Sequence, residues 1–104
     1  MFKSLKLFTG GSIDLEHIST TLLDFEYKRQ DKVLEEGDFA CRGGIIDIFP
    51  FTFELPIRID TLASLPTESD QIQSIKTFNP ANGALLWEHK IAIILPIKKT
   101  HVSK

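Results

Sequence analysis

The sequence predicts an α+β fold: one main helix packed on a mostly antiparallel, strongly twisted β-sheet built from hairpins. Three observations carry that expectation. Leu15, Ile18, Leu22 and Phe25 recur at spacings of three, four and three, which is one apolar stripe of an amphipathic helix. Glu35 to Pro50 reads as a hairpin: Gly43-Gly44 marks the turn, because glycine reaches positive φ without steric cost. Further short apolar segments follow, at Ile57 to Leu62, Ala84 to Glu88 and Lys90 to Leu95, each next to proline, glycine or polar turn residues.

Taken in order, Lys3 to Phe8 alternates Leu5 and Leu7 with Ser4 and Lys6, the pattern of an edge strand. Thr9-Gly10-Gly11 turns the chain. Ser12 and Asp14 are both candidate N-caps, since a short side-chain oxygen accepts from the first free amides of a helix. The helix is predicted from about Leu15 to Lys28, with Leu23 widening its stripe and Lys28 and Arg29 in its last turn, where cations suit the dipole. Thr20 and Thr21 are poor helix formers, so packing must hold it. Asp31 to Glu36 is a polar lead with Val33 and Leu34 as its apolar contacts. In the hairpin, Asp38 to Cys41 and the β-branched and aromatic Ile45 to Phe49 form the strands, closed by Pro50. Phe51 to Leu55 is a loop ended by Pro56. In the next strand Ile57 and Ile59 face one way, Arg58 and Asp60 the other. Asn79-Pro80-Ala81-Asn82-Gly83 is a turn, because proline fixes φ and Asn-Gly accepts positive φ.

The length of 104 residues suits one domain, expected over 1–97, with a basic and frayed tail from Lys98 to Lys104. A domain of this size buries roughly 60–70% of the surface its unfolded chain exposes. With 42% hydrophobic residues it can build its core without disulfides or metal. Twelve basic and 14 acidic residues give a net charge of −2, which marks no general nucleic-acid binder. The single cysteine, Cys41, forms no internal disulfide and fits a reducing, cytoplasmic setting. No apolar run approaches the roughly 20 residues of a membrane span, and no cleavable signal is expected at the N-terminus.

Catalytic and metal chemistry find no footing in the residue pattern. No Gly-x-x-x-x-Gly-Lys-(Ser/Thr) loop is present to cradle a triphosphate. His17, His89 and His101 are widely separated, and one cysteine supplies no ligand pair, so no metal or cofactor is expected. Cys41 would need an adjacent base to act as a nucleophile; a small buried strand residue is the ordinary reading. Asp47, a carboxylate inside an apolar strand, is expected to be structural, accepting hydrogen bonds from backbone or from an arginine such as Arg58.

Two contiguous stretches carry a resemblance to a known family. They are Tyr27-Lys28-Arg29-Gln30-Asp31 and Gly37-Asp38-Phe39-Ala40-Cys41-Arg42-Gly43-Gly44-Ile45-Ile46-Asp47-Ile48-Phe49-Pro50. This pattern closely resembles the UvrA-binding domain shared by the excision-repair protein UvrB and the transcription-repair coupling factor Mfd. The family has aromatic-x-Arg-x-Asp, then Gly-(Asp/Glu)-Phe-Ala-Val-Arg-Gly-Gly-(Ile/Leu)-(Ile/Leu)-Asp-(Ile/Val)-Phe-Pro. Pro56 to Asp60 and the closing Ile91 to Pro96 resemble later parts of the same domain. The sequence departs from the family at Thr61 to Ser69, which is longer and lacks the family's glycine. The resemblance implies a fold like the second domain of UvrB. It also implies a docking module in nucleotide excision repair or transcription-coupled repair, without the motor domains of its relatives.

The expected docking residues are Arg29 and Arg42. Read as ordinary residues they are solvated charges at a helix end and a turn. Read functionally they lie side by side as a cationic pair, and each planar guanidinium can meet a carboxylate with two hydrogen bonds. The resemblance favours the second reading, since matching arginines in UvrB-like domains contact acidic and polar groups on UvrA. UvrB has a further arginine where Ala40 stands here, as in Mfd-like sequences. Phe39, Ile46 and Phe49 are candidates for the apolar part of the interface, although alternation leaves their facing open. Gly37, Gly43, Gly44, Asp47 and Arg58 are expected to support the motif. The rival reading is a nucleic-acid-binding or RNA-polymerase-associated module that kept the fold and changed its partner. For nucleic acid it would use Lys3, Lys6, Lys98, Lys99 and Lys104.

Overall fold

The computed structural model describes residues 4–61 and 69–97. Among them lie one helix, α1 (Leu15–Asp24), and the strands β1 (Leu5–Phe8), β2 (Ser12–Asp14), β3 (Lys28–Arg29), β4 (Asp38–Arg42), β5 (Ile45–Ile48), β6 (Ile57–Thr61), β7 (Ser69–Phe78), β8 (Leu85–His89) and β9 (Ile91–Ile94). The predicted α+β class holds. The main sheet runs β2-β7-β6-β5-β4-β3, with β8 also on β7, while β1 and β9 form a separate antiparallel ribbon. The one parallel pairing among the described residues joins β3 to β4. Lys3 and Leu62 at two predicted strand ends, positions 62–68 of the predicted insert, and the Lys98 to Lys104 tail lie outside the described residues.

The helix begins where Asp14 takes the Glu16 and His17 amides on its Oδ1, at 3.1 and 3.3 Å. Ser12, the other candidate cap, lies instead in a three-residue strand that the sequence did not suggest. The helix stops at Asp24, short of the predicted Lys28. Glu26 adopts φ 76°. Its N–H donates to the Leu23 carbonyl at 3.0 Å, and the Tyr27 N–H reaches the Leu22 carbonyl at 2.9 Å. This is the double hydrogen bond of a Schellman ending, with Leu22 and Tyr27 both in the core as its apolar clasp. Lys28 and Arg29 are therefore not in a last helical turn; they begin a strand.

The predicted stripe Leu15, Ile18, Leu22 and Phe25 is buried, whereas Leu23 is exposed and does not widen it. The stripe joins Phe39, Ile46, Ile48, Ile57, Ile59, Ile72 and Ile75 from one sheet face, and the ribbon adds Leu7, Ala92 and Ile94. Complete burial of one such aliphatic side chain is worth about 1.5–3 kcal/mol. On the opposite face Val33, Ala40 and Phe49 form a smaller cluster. Leu85, Leu86 and Trp87 of β8 stay exposed, as do Phe8, Ile91 and Ile93 on the ribbon. No helix among the described residues is long and apolar enough to cross a membrane.

Candidate functional site

The β3–β4 edge is built by local backbone chemistry. Lys28 pairs in register with Asp38 and Arg29 with Phe39. The Lys28 N–H donates to the Gly37 carbonyl and the Gln30 N–H to the Phe39 carbonyl, both at 2.8 Å. Gly37 stands at φ 93°, a conformation that side chains resist, and its N–H donates to the Phe49 carbonyl. The Tyr27 hydroxyl donates to the Leu95 carbonyl at 3.1 Å and accepts from the Phe51 N–H at 3.4 Å. Its burial raises the phenol pKa above the usual value, reinforced by the charge of Glu36 and partly offset by the Phe51 amide.

Arg29 and Arg42 come together along this edge. Both are exposed, and with Gln30, Asp31 and Cys41 they line one open recess of about 560 Å³. Arg42 extends the predicted strand by one residue and stands at the hairpin mouth, opposite Ile45. The turn places its positive φ on Gly43, at 56°. The Gly44 carbonyl accepts both the backbone N–H and the hydroxyl of Thr61, each at 2.9 Å. Cys41 Sγ lies 3.2 Å from Ser19 Oγ, partly buried against the helix.

Behind Arg42, Asp47 and Arg58 face each other across β5 and β6. Arg58 Nε donates to Asp47 Oδ1 at 2.9 Å and its second nitrogen to Oδ2 at 3.1 Å. Its guanidinium carbon also lies 5.0 Å from the centre of the Phe78 ring. The hydrogen bond to Asp47, more than the nearby charges, raises the arginine pKa further, against the opposing effect of burial.

The apolar candidates fall differently. Phe39 and Ile46 are fully buried in the main core, because they alternate onto the helix side of β4 and β5. Phe49 is closed off at 8% exposure against Val33 and Ala40. None of the three is offered to a partner in this conformation, a correction to the expected apolar interface. Leu34, expected to be an inward contact, points outward instead at 68% exposure. No group of three or more metal-ligating side chains occurs among the described residues. His17 is exposed, while His89 Nε2 shares a 2.5 Å hydrogen bond with the Thr77 hydroxyl.

A helix-backed curled sheet, with two exposed arginines lining one recess, defines a small α+β domain. Residues 5–99 match the family described as the UvrB interaction domain, and the chain belongs to that family. It is 32% identical over 89 residues to UvrABC system protein B of Treponema denticola, covering 86% of this chain and 12% of that protein. It is 33% identical over 98 residues to UvrABC system protein B of Nitrosococcus oceani, covering 93% and 13%. With the transcription-repair-coupling factor of Bacillus subtilis it shares 37% identity over 70 residues, covering 67% and 5%. The chain thus spans a small part of the length of these relatives.

Proposed function

We propose that this domain is a non-catalytic docking module that binds a UvrA-type protein through Arg29 and Arg42, in excision repair or transcription-coupled repair. The observation that carries the reading is the shared recess: the helix ending and the hairpin bring two arginines to one edge. Two forked donors there suit a partner surface that presents carboxylates, with which each arginine forms paired, charge-assisted bonds. Membership of the UvrB interaction domain family supports a docking role. The test is calorimetric titration of the protein into a UvrA-type protein, with Arg29→Ala and Arg42→Ala beside the wild type. The expected loss is about 2–5 kcal/mol for an arginine desolvated at the interface. Competition with UvrB for the same partner is expected as well. Wild-type binding that both variants retain in full would refute the assignment of the site.

A further inference from the structure

We infer that Leu34 is the apolar anchor of this docking surface, held outward by Asp38 for insertion into an apolar pocket beside the partner's acidic groups. The inference rests on the docking reading above and supplies the apolar contact that Phe39, Ile46 and Phe49 cannot.

Leu34 is 68% exposed, while the preceding Val33 is 3% exposed in the cluster with Ala40 and Phe49. The loop is therefore fastened by one neighbour and displays the other. Its backbone is fixed by a carboxylate: Asp38, only 4% exposed, accepts the Leu34 and Glu35 amides on Oδ2, both at 3.1 Å. Its other oxygen takes the Gln30 side-chain amide at 3.4 Å, and the Asp38 N–H donates back to the Glu35 carbonyl at 3.1 Å. Burying a carboxylate is unfavourable unless hydrogen bonds satisfy it. Here those bonds order a surface loop, which then presents an apolar side chain to water.

The same loop embraces the arginine site. Gln30 and Asp31 line the recess with Arg29 and Arg42, and Lys32 and Val33 line the neighbouring hollow that Arg42 shares with Arg58. Leu34 thus follows directly on the loop residues, Gln30 to Val33, that line these two hollows with Arg42. A partner that meets the arginines with carboxylates and Leu34 with an apolar pocket would engage one pre-ordered unit. Such ordering removes a cost of binding. A few well-placed apolar and arginine contacts commonly carry most of an interface.

The test titrates the whole protein into a UvrA-type protein by calorimetry, using wild type, Arg42→Ala, Leu34→Ala, Asp38→Ala and the Leu34→Ala/Asp38→Ala double variant. Leu34→Ala is expected to weaken binding by about tenfold or more with an unchanged melting curve. Asp38→Ala, which removes the acceptor of both loop amides, is expected to weaken binding in the wild-type background and to have little effect once Leu34 is gone. If Arg42→Ala weakens binding and Leu34→Ala stays within twofold of wild type, the anchor is refuted and the docking reading stands. An Asp38→Ala effect that persists in full without Leu34 overturns the positioning role of Asp38. Absence of wild-type binding overturns the docking reading and the anchor with it.

Discussion

Asp47 and Arg58 are direct cross-strand partners, and the arginine closes on both carboxylate oxygens at 2.9 and 3.1 Å. The two ends of this pair are unequal, since the arginine side chain is 29% exposed and the aspartate 8%. Arg58→Met would strand a buried carboxylate and is expected to cost about 3–5 kcal/mol. Asp47→Asn keeps the shape and leaves a cation that water can reach, with an expected cost of about 1–3 kcal/mol. Urea unfolding of both variants checks the order. A larger loss in Asp47→Asn would contradict the assigned burial.

Tyr27 ties the turn after the helix to the segment that follows β9, through the Leu95 carbonyl, and to the Phe51 amide. Tyr27→Phe is expected to cost about 0.5–1.5 kcal/mol at neutral pH. The pKa is raised in the fold, mainly by burial, so the native state holds the phenol proton more tightly than the unfolded chain. That contribution is fully present below the ordinary value of 10.0 and is lost as pH rises through the higher native pKa. The cost of Tyr27→Phe should therefore shrink in strong alkali. Because the chain has one tyrosine, phenolate absorbance reads the shift directly, with its midpoint falling when urea unfolds the protein.

Phe39 separates a core role from an interface role. It is fully buried, in register with Ile48 on β5 and Arg29 on β3. Phe39→Ala is expected to lose about 3–5 kcal/mol of stability, a large share of what a domain commonly has. Folded molecules of the variant should keep most of their affinity, which binding measurements corrected for the unfolded fraction would show. A variant that folds as well as wild type and fails to bind would return Phe39 to the surface.

Strand β7 did not stand out, since Ile72, Ile75 and Phe78 fall three apart instead of alternating, whereas the helix stripe, the Gly43-Gly44 hairpin and strands β6, β8 and β9 were legible because each has a local cause: helical spacing, a glycine turn, apolar runs bounded by turn residues. The helix stop was not, because its left-handed position holds Glu26, where glycine is the usual signal. Without that stop, Lys28 and Arg29 read as a helix end, and strand β3, only two residues long, left no periodicity to detect. Alternation likewise could not say which face of β4 and β5 meets the helix, since both carry apolar residues. The outward Leu34 was hidden for a similar reason: the carboxylate of Asp38 folds back to fix the loop backbone there, and no spacing in the sequence signals it. The two arginines were singled out from their places in the motif, and they line one recess, although the assumed helix end gave way to a parallel strand pair.

That parallel pair fixes the backbone under Arg29, so the geometry of its guanidinium, as well as its charge, is available to a partner. Lysine at either position would keep the charge and lose the planar paired donors. Arg42→Lys and Arg29→Lys are each expected to weaken docking by about 1.5–3 kcal/mol, roughly ten- to a hundredfold, at unchanged stability. Both residues line one recess, so the double substitution should cost less than the sum of the single ones. Calorimetry of the four proteins closes the cycle. Lysine variants that bind like wild type would mean that the partner reads the recess as bulk positive charge, and paired recognition of carboxylates by these arginines would be excluded.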